Sequence, residues 1–316
     1  MSNINDLLKD FDSKTIIILG LGREGLSSYQ FFREHLPEKK LYLVDDKKLS
    51  DLDSVWMRIG KEDRDTHFST SITELTKDEK FVASNNTARN FIIIKSPGIP
   101  PKNQLLLESV RIKSEFTSNT NIFFQLIETL EEGTVNVIGV TGTKGKSTTT
   151  SMIHHVLKNC NLQSILGGNI GIPPLSLWNK IKKLASLKNL ASESTHTANT
   201  SKNIASESTH TANTSKNIAS ESTHVANTSK NTTKRPINIV LEMSCHQLKD
   251  AVFSPTMAVI LDITPEHLDY YQNFEEYIQA KSQIARFQKS SDLLIFSDNE
   301  VAQELSKLSK AKKISF

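Results

Sequence analysis

The sequence predicts an α/β protein: an N-terminal Rossmann-like open parallel sheet, followed by a central α/β domain of the P-loop NTPase type. Three observations lead there. Lys14 to Gly25 reads KTIIILGLGREG, a β-branched apolar strand running straight into Gly20, Gly22 and Gly25, and the SSYQFFREHL that follows has helical apolar spacing. Ile138 to Thr150 reads IGVTGTKGKSTTT, again a strand, a glycine loop and the start of a helix. Other apolar runs also end in polar or glycine-rich tips, and in an open parallel sheet ligands sit at the carboxyl ends of the strands.

The first unit is assigned to residues 1–110. Its second strand, LYLVDD, ends in Asp45 and Asp46, at a distance from the glycine turn suited to a ribose or a base. A third, FIIIKSPGIP, ends in Ser96, Pro97 and Gly98. Taken alone, GLGREG with an acidic residue further on reads as a dinucleotide site, and a dehydrogenase competes as an interpretation. Glycine permits close backbone approach to any diphosphate, so the turn by itself leaves both readings open.

The second unit is assigned to 111–316. Strand VNVIGV (135–140) leads into the loop, and Met152, Ile153, Val156 and Leu157 mark one face of the helix after it. NIVLEMS (238–244) carries Glu242 near its end, and MAVILDIT (257–264) stops just before Glu266 and His267. Asn273 is placed to cap a helix with Glu276 three residues on; Phe274, Tyr277, Ile278, Ile284 and Ala285 then share its apolar face, and Lys281 lands on that face too. Periodicity alone reads Lys281 as a lysine that snorkels its ammonium to water. Between these strands NLASESTHTANTSK (189–202) recurs as NIASESTHTANTSK and NIASESTHVANTSK. With almost nothing bulky to bury, a segment of about 187–234 is expected to be a floppy surface insertion, and His196, His210 and His224 recur there through duplication rather than as a metal array.

The totals exclude some classes. Lys and Arg number 38 against 35 Asp and Glu, a net charge of +3 in 316 residues, too balanced for nucleic acid or an anionic membrane as partner. MSNINDLLKD lacks a signal pattern and no apolar run approaches the roughly 20 residues of a membrane span, so a cytoplasmic protein is expected; a monomer is expected independently of this. Cys160 and Cys245 read as small buried apolar residues without a role.

The second loop carries the chemistry. Backbone N–H groups of a glycine loop at a helix N-terminus point at an anion, a lysine adds a cation, and the next hydroxyl holds Mg2+. Gly142, Thr143, Lys144, Gly145, Lys146, Ser147 and Thr148 supply these parts for ATP, although the strict G-x-x-x-x-G-K-[ST] pattern is not met because Val140 stands where its first glycine belongs. Glu242, a carboxylate at a strand tip beside that loop, is where a Mg2+ ligand is needed.

TGTKGKST, GGNIG (167–171), EMSCHQL (242–248) and TPEHLDYYQNFEEYIQAK (264–281), in this order, resemble the ATP-dependent Mur ligases of bacterial cell-wall synthesis, over essentially the whole chain apart from the insertion. GLGREG and SPGIP are most similar to those members that join D-glutamate to UDP-N-acetylmuramoyl-L-alanine. The resemblance implies amide synthesis through an acyl phosphate, with Lys146, Lys281 and His267 as catalytic residues. It implies one Mg2+ on Ser147 and Glu242 and a second on His267 and Lys281, Lys281 being carbamylated. It places Leu21, Gly22, Asp45, Ser96 and Gly98 near the uridine and phosphates of the precursor, and Asn169 and His267 near its muramoyl-alanine end. It also implies a third, C-terminal domain, and the chain stops at KKISF, about where that domain is expected to begin. Cys245-His246 stands where D-glutamate-adding members have a serine-aromatic pair, and the histidine resembles members adding a diamino acid. His246 itself is read as a packed histidine. A ligase for a different amino acid and a truncated, non-catalytic nucleotide-binding remnant therefore remain alternatives.

Overall fold

A computed structural model describes residues 3–77, 90–112, 114–188 and 235–316. The expected insertion, with His196, His210 and His224, lies almost wholly outside the described residues. Two sheets organise the chain, and every strand pair in both is parallel. The first has the order β3-β2-β1-β4-β5, from Thr15–Leu19 (β1), Leu41–Val44 (β2), Thr66–Ser69 (β3), Phe91–Lys95 (β4) and Glu115–Thr117 (β5). The second has the order β11-β10-β9-β6-β8-β7. Its strands are Val135–Thr141 (β6), Ser164–Gly168 (β7), Ile237–Glu242 (β8), Met257–Ile260 (β9), Leu293–Phe296 (β10) and Lys312–Ser315 (β11). The first sheet thus takes its last strand from beyond residue 110, where the sequence placed the boundary: β5 is short and half exposed, and gives almost no hydrophobic signal.

Strands covered by helices on both faces are apolar without alternation. Ile16 to Leu19 are fully buried and divide by side: Ile16 and Ile18 pack with Phe11, Phe32 and Trp56, Ile17 and Leu19 with Tyr42 and Ile93. Leu175 and Trp178 of the second unit join the first of these clusters. The Asn119–Glu128 helix mediates that contact: Asn119 Nδ2 donates to Ser27 Oγ and Ser28 Oγ, both at 3.1 Å, and its Oδ1 accepts from Leu175 N–H at 3.1 Å.

In each sheet the strand preceding a glycine loop is the one where the order reverses. β1 lies between β2 and β4, and β6 between β8 and β9. At such a switch point the connections leave toward opposite faces and open a crevice above the strand ends.

Three local expectations need correction. On the Lys146–Asn159 helix, Met152 and Val156 face solvent; the inward stripe is Thr150, Ile153, His154 and Leu157, one step round from the face read in the sequence. Cys245 is buried as expected but Cys160 is exposed; both are free thiols. The helix Phe274–Arg286 forms with Asn273 as its cap, Oδ1 accepting from Glu276 N–H at 2.9 Å. Glu276 does not complete a capping box: its carboxylate takes Gln272 N–H and the Lys249 ammonium instead. Among the described residues, no helix is long and apolar enough to cross a membrane.

Candidate active site at the tips of the two sheets

The β6 loop requires its glycines. Gly142 has φ +155°, and a Cβ there would lie 2.6 Å from Leu261 Cβ; Gly145 has φ +81°, the left-handed region open to glycine. Gly145 caps the Lys146–Asn159 helix without a side chain, so no capping oxygen takes the first-turn N–H groups, which favour an anion. Thr143 is tied to the segment after β9: its N–H donates to Asp262 O at 2.8 Å, and its hydroxyl accepts from Thr264 N–H at 2.8 Å. Lys146 Nζ folds back onto Thr143 O at 2.6 Å, while Lys144, Ser147 and Thr148 are exposed at the rim.

Glu242 ends β8 directly beside Val140 of β6. The residue is 3 % exposed; Oε1 accepts from Asn169 Nδ2 at 2.9 Å, and Oε2 is buried without a hydrogen-bond partner among the described residues. A buried anionic oxygen without a donor is costly unless a cation or a proton meets it. Oxygen is the ligand type Mg2+ takes, so the residue fits the proposed metal. Asn169 is held against it by a second bond, N–H to Glu242 O at 2.8 Å, and Gly168 allows this approach: a Cβ there would lie 2.2 Å from that same oxygen. The amide expected to meet the precursor is therefore turned onto Glu242.

Lys281 is 1 % exposed and does not snorkel. Its Nζ donates to Gly142 O at 2.7 Å and lies 4.7 Å from the centre of the Tyr277 ring. Burial, reinforced by the Lys146 charge, pushes its pKa down to about 8. His267 is exposed and has φ +56°, uncommon outside glycine. Its Nε2 lies 3.6 Å from Glu266 Oε2, and its ring is 6.3 Å from that of Tyr277 and 4.9 Å from that of His246.

The β1 turn is built differently. Leu21 N–H donates to Asp45 Oδ2 at 2.7 Å, Lys47 N–H to Asp45 Oδ1 at 3.0 Å, and Trp56 Nε1 to Leu21 O at 2.7 Å. Ser96 Oγ donates to Gly20 O at 2.6 Å. Asp45 and Ser96, read as ligand contacts, thus also brace the turn, and the buried Asp45 carboxylate is engaged on both oxygens. Gly22 and Gly98 have open space where a side chain would be.

The seam between the units holds residues the sequence reading missed. Arg23 Nη1 and Nη2 reach Gly171 O and Asn169 O at 3.4 and 3.5 Å, and Lys95 pairs with Asp250 at 2.6 Å. Tyr270 OH donates to Ile99 O at 3.0 Å. Glu24 accepts from Gln247 Nε2 at 2.7 Å, while its Oε2 is buried with no hydrogen-bond partner among the described residues; burial pushes its pKa up to about 7, the Gln247 bond opposing. Between Lys95, Ile99, Lys249, Asp250 and Tyr270 lies a cavity of about 390 Å³. Arg23, Glu24 and Gln247 stand inside motifs quoted from the sequence, but nothing local indicates that they meet across it.

The Mur ligase middle domain matches residues 140–316, more than half of the chain. A UDP-N-acetylmuramoylalanine–D-glutamate ligase of Acetivibrio thermocellus is 29% identical over 226 residues, 71% of this chain and 36% of that protein. The enzyme of the same name from Streptococcus agalactiae is 27% identical over 308 residues, 97% of this chain and 52% of that protein. This chain therefore spans about half, or less, of the length of these curated relatives. Among solved structures, UDP-N-acetylmuramate:L-alanyl-gamma-D-glutamyl-meso-diaminopimelate ligase from Neisseria meningitides aligns with TM-score 0.47 at 13% identity, covering 95% of this chain and 77% of that one. With the matched domain spanning the phosphate loop, Glu242, His267 and Lys281, the chain belongs to the Mur ligase family.

Proposed function

We propose that this chain is the precursor- and ATP-binding part of a ligase that joins D-glutamate to UDP-N-acetylmuramoyl-L-alanine through an acyl phosphate in peptidoglycan precursor synthesis. The observation that carries the reading is Glu242 Oε2, an unpartnered buried carboxylate oxygen on the strand next to a lysine-bearing phosphate loop. A dehydrogenase has no use for that pair, and the names of the relatives favour D-glutamate.

Forming an amide from a carboxylate is uphill in water, so the carboxylate must first take a phosphoryl group, and the site must stabilise charge on the oxygens in transfer. Lys146 leaves Thr143 O to meet the phosphates of ATP, and the loop N–H groups between Gly142 and Thr148, apart from that of Thr143, which Asp262 O takes, orient them. Mg2+ held by Ser147 and Glu242, and a second ion held by His267 and carbamylated Lys281, would supply further positive charge. Lys281 suits carbamylation because burial favours its neutral amine, the form that reacts with CO2. The β1 turn, through Leu21, Gly22, Asp45, Ser96 and Gly98, holds the uridine diphosphate. Asn169 and His267 lie toward the muramoyl-alanine end.

Phosphate release that requires ATP, UDP-N-acetylmuramoyl-L-alanine and D-glutamate together is the expected result. Release supported by another amino acid would reassign the specificity. ATP with Mg2+ is expected to raise the melting temperature of the chain, and Lys146→Ala to abolish that rise while leaving the response to the UDP precursor. A response to ATP unaffected by Lys146→Ala would remove the basis of the reading.

A further inference from the structure

We propose that Cys245, His246 and His267 form a binding site for a thiophilic divalent metal of the zinc class, which shares His267 with the second Mg2+ position described above but takes a different metal. The three ligand atoms lie within 4.8 Å of one another. Cys245 Sγ and His246 Nδ1 are 3.6 Å apart. In a tetrahedral site with Zn–S about 2.3 Å and Zn–N about 2.0–2.1 Å, sulfur and nitrogen are separated by roughly 3.5 Å, so this edge is already set. Only His267 must swing inward, and it is the exposed member of the three.

The donor set selects the metal. One thiol and two imidazoles suit zinc and its neighbours, whereas Mg2+ takes oxygen. Two of the ligands are held in place. Cys245 is buried at the start of the Cys245–Lys249 helix, whose Ser244 forms a complete capping box with Gln247. The His246 ring is braced edge-on by Tyr270, 4.3 Å between centres. The third ligand hangs from a backbone at φ +56°, a conformation that L-residues adopt at a cost and that recurs at functional positions. Without a metal, the polar contact between Cys245 and His246 is a weak sulfur hydrogen bond.

The chemistry balances without a redox step: as the metal–sulfur bond forms, the Cys245 thiol releases its proton to solvent. The nearby Lys281 ammonium opposes another cation, and the new thiolate charge offsets it. Three protein ligands leave a fourth position for water. The ligands come from the segments after β8 and after β9, so occupancy clamps two strand tips together. On the ligase reading it also withdraws His267 from the second Mg2+.

The test uses the whole chain in reducing, Mg2+-free buffer without nucleotide, so its failure is separate from failure of the ligase reading. Co2+ is titrated as a spectroscopic probe. The expected result is a near-ultraviolet thiolate-to-metal band saturating at one ion per chain and displaced by Zn2+. The band should persist in Cys160→Ser, vanish in Cys245→Ser, and need at least about tenfold more metal in His246→Gln and His267→Gln. Histidines of the repeats carry no thiol and cannot produce it. Absence of the band in the parent chain, or its survival in Cys245→Ser, overturns the proposal. If Cys245→Ser fails to fold, the two histidine variants decide, and unchanged affinity in both overturns it.

Discussion

The two glycine loops occupy equivalent places, each after the strand at which its sheet reverses order, yet they differ in what their polar groups are bonded to. Around the β1 turn the groups are engaged within the protein: Asp45 holds Leu21 N–H, Trp56 holds Leu21 O, and Ser96 holds Gly20 O. Around the β6 loop Thr143 is tied down as well, but the charged groups are under-satisfied. Lys146 rests on a loop carbonyl, Glu242 Oε2 has no hydrogen-bond partner among the described residues, and the buried Lys281 meets Gly142 O and the Tyr277 ring. A braced turn offers a fixed surface for a ligand with its own charge distribution; an under-satisfied loop offers charge that must itself be completed by metal and phosphate.

The largest effect that separates the two belongs to glycine. A Cβ on Gly25 would lie 2.2 Å from the Gly20 carbonyl oxygen, a backbone atom of the same turn, so Gly25→Ala is expected to cost about 4 kcal/mol or more. Gly145→Ala in the second loop meets only Leu261 Cδ1 at 3.3 Å and mainly incurs the left-handed strain, about 1–2 kcal/mol. Denaturant melts of the two variants check the order. If Gly145→Ala proved the more damaging, the β1 turn would not be the more tightly built of the two.

Glu24 is an exception within the braced turn. Its pKa is raised from 4.5 to about 7, so the folded state binds a proton that the unfolded state has lost between those values. Stability from this group is full at low pH and is lost as pH rises through about 7. Glu24→Gln keeps an acceptor for Gln247 and removes the ionisation. It is expected to stabilise the protein by about 3 kcal/mol at pH 8 and by almost nothing at pH 4.5. A gain independent of pH would place the cause in packing rather than in the buried charge.

Lys281 gives the opposite slope in the second unit. Its pKa falls from 10.5 to about 8, so the unfolded chain binds the extra proton between those values and stability rises with pH across that window. Compared with Lys281→Met in CO2-free buffer, the parent chain is expected to gain roughly 1.5 kcal/mol between pH 8 and 9.5. With carbon-13 bicarbonate, a carbamate signal absent from the variant is the companion observation.

How much of this was legible in the sequence depended on distance along the chain. β1, β4, β6 and β8 are largely apolar runs because helices cover both faces, and a run is a local signal. β3, β5 and β11 have no fully buried residue, and strands that bury little leave little pattern. The glycine loops and the capped Lys281 helix were legible for the same local reason. The Met152 and Val156 error arose because a helix against a polar site turns Thr150 and His154 inward, which an apolar stripe does not reveal. Glu24 with Gln247, Lys95 with Asp250, and His246 with His267 are pairings between distant segments, fixed only when the strand tips converge.

The smallest effects test the comparison at single hydrogen bonds. Ser96→Ala removes the donor to Gly20 O from the braced turn and is expected to cost about 1 kcal/mol by thermal melt, with or without Mg2+. Glu242→Gln keeps an oxygen for Asn169 and removes the charge from an oxygen that has no donor among the described residues, so without metal it is expected not to destabilise the protein. The two variants then part company when Mg2+ and ATP are added: Ser96→Ala keeps the rise in melting temperature and Glu242→Gln loses it. If instead Glu242→Gln were as destabilised as Ser96→Ala in metal-free buffer and kept the Mg2+ response, Glu242 would be a structural brace like Ser96, and the two loops would be alike after all.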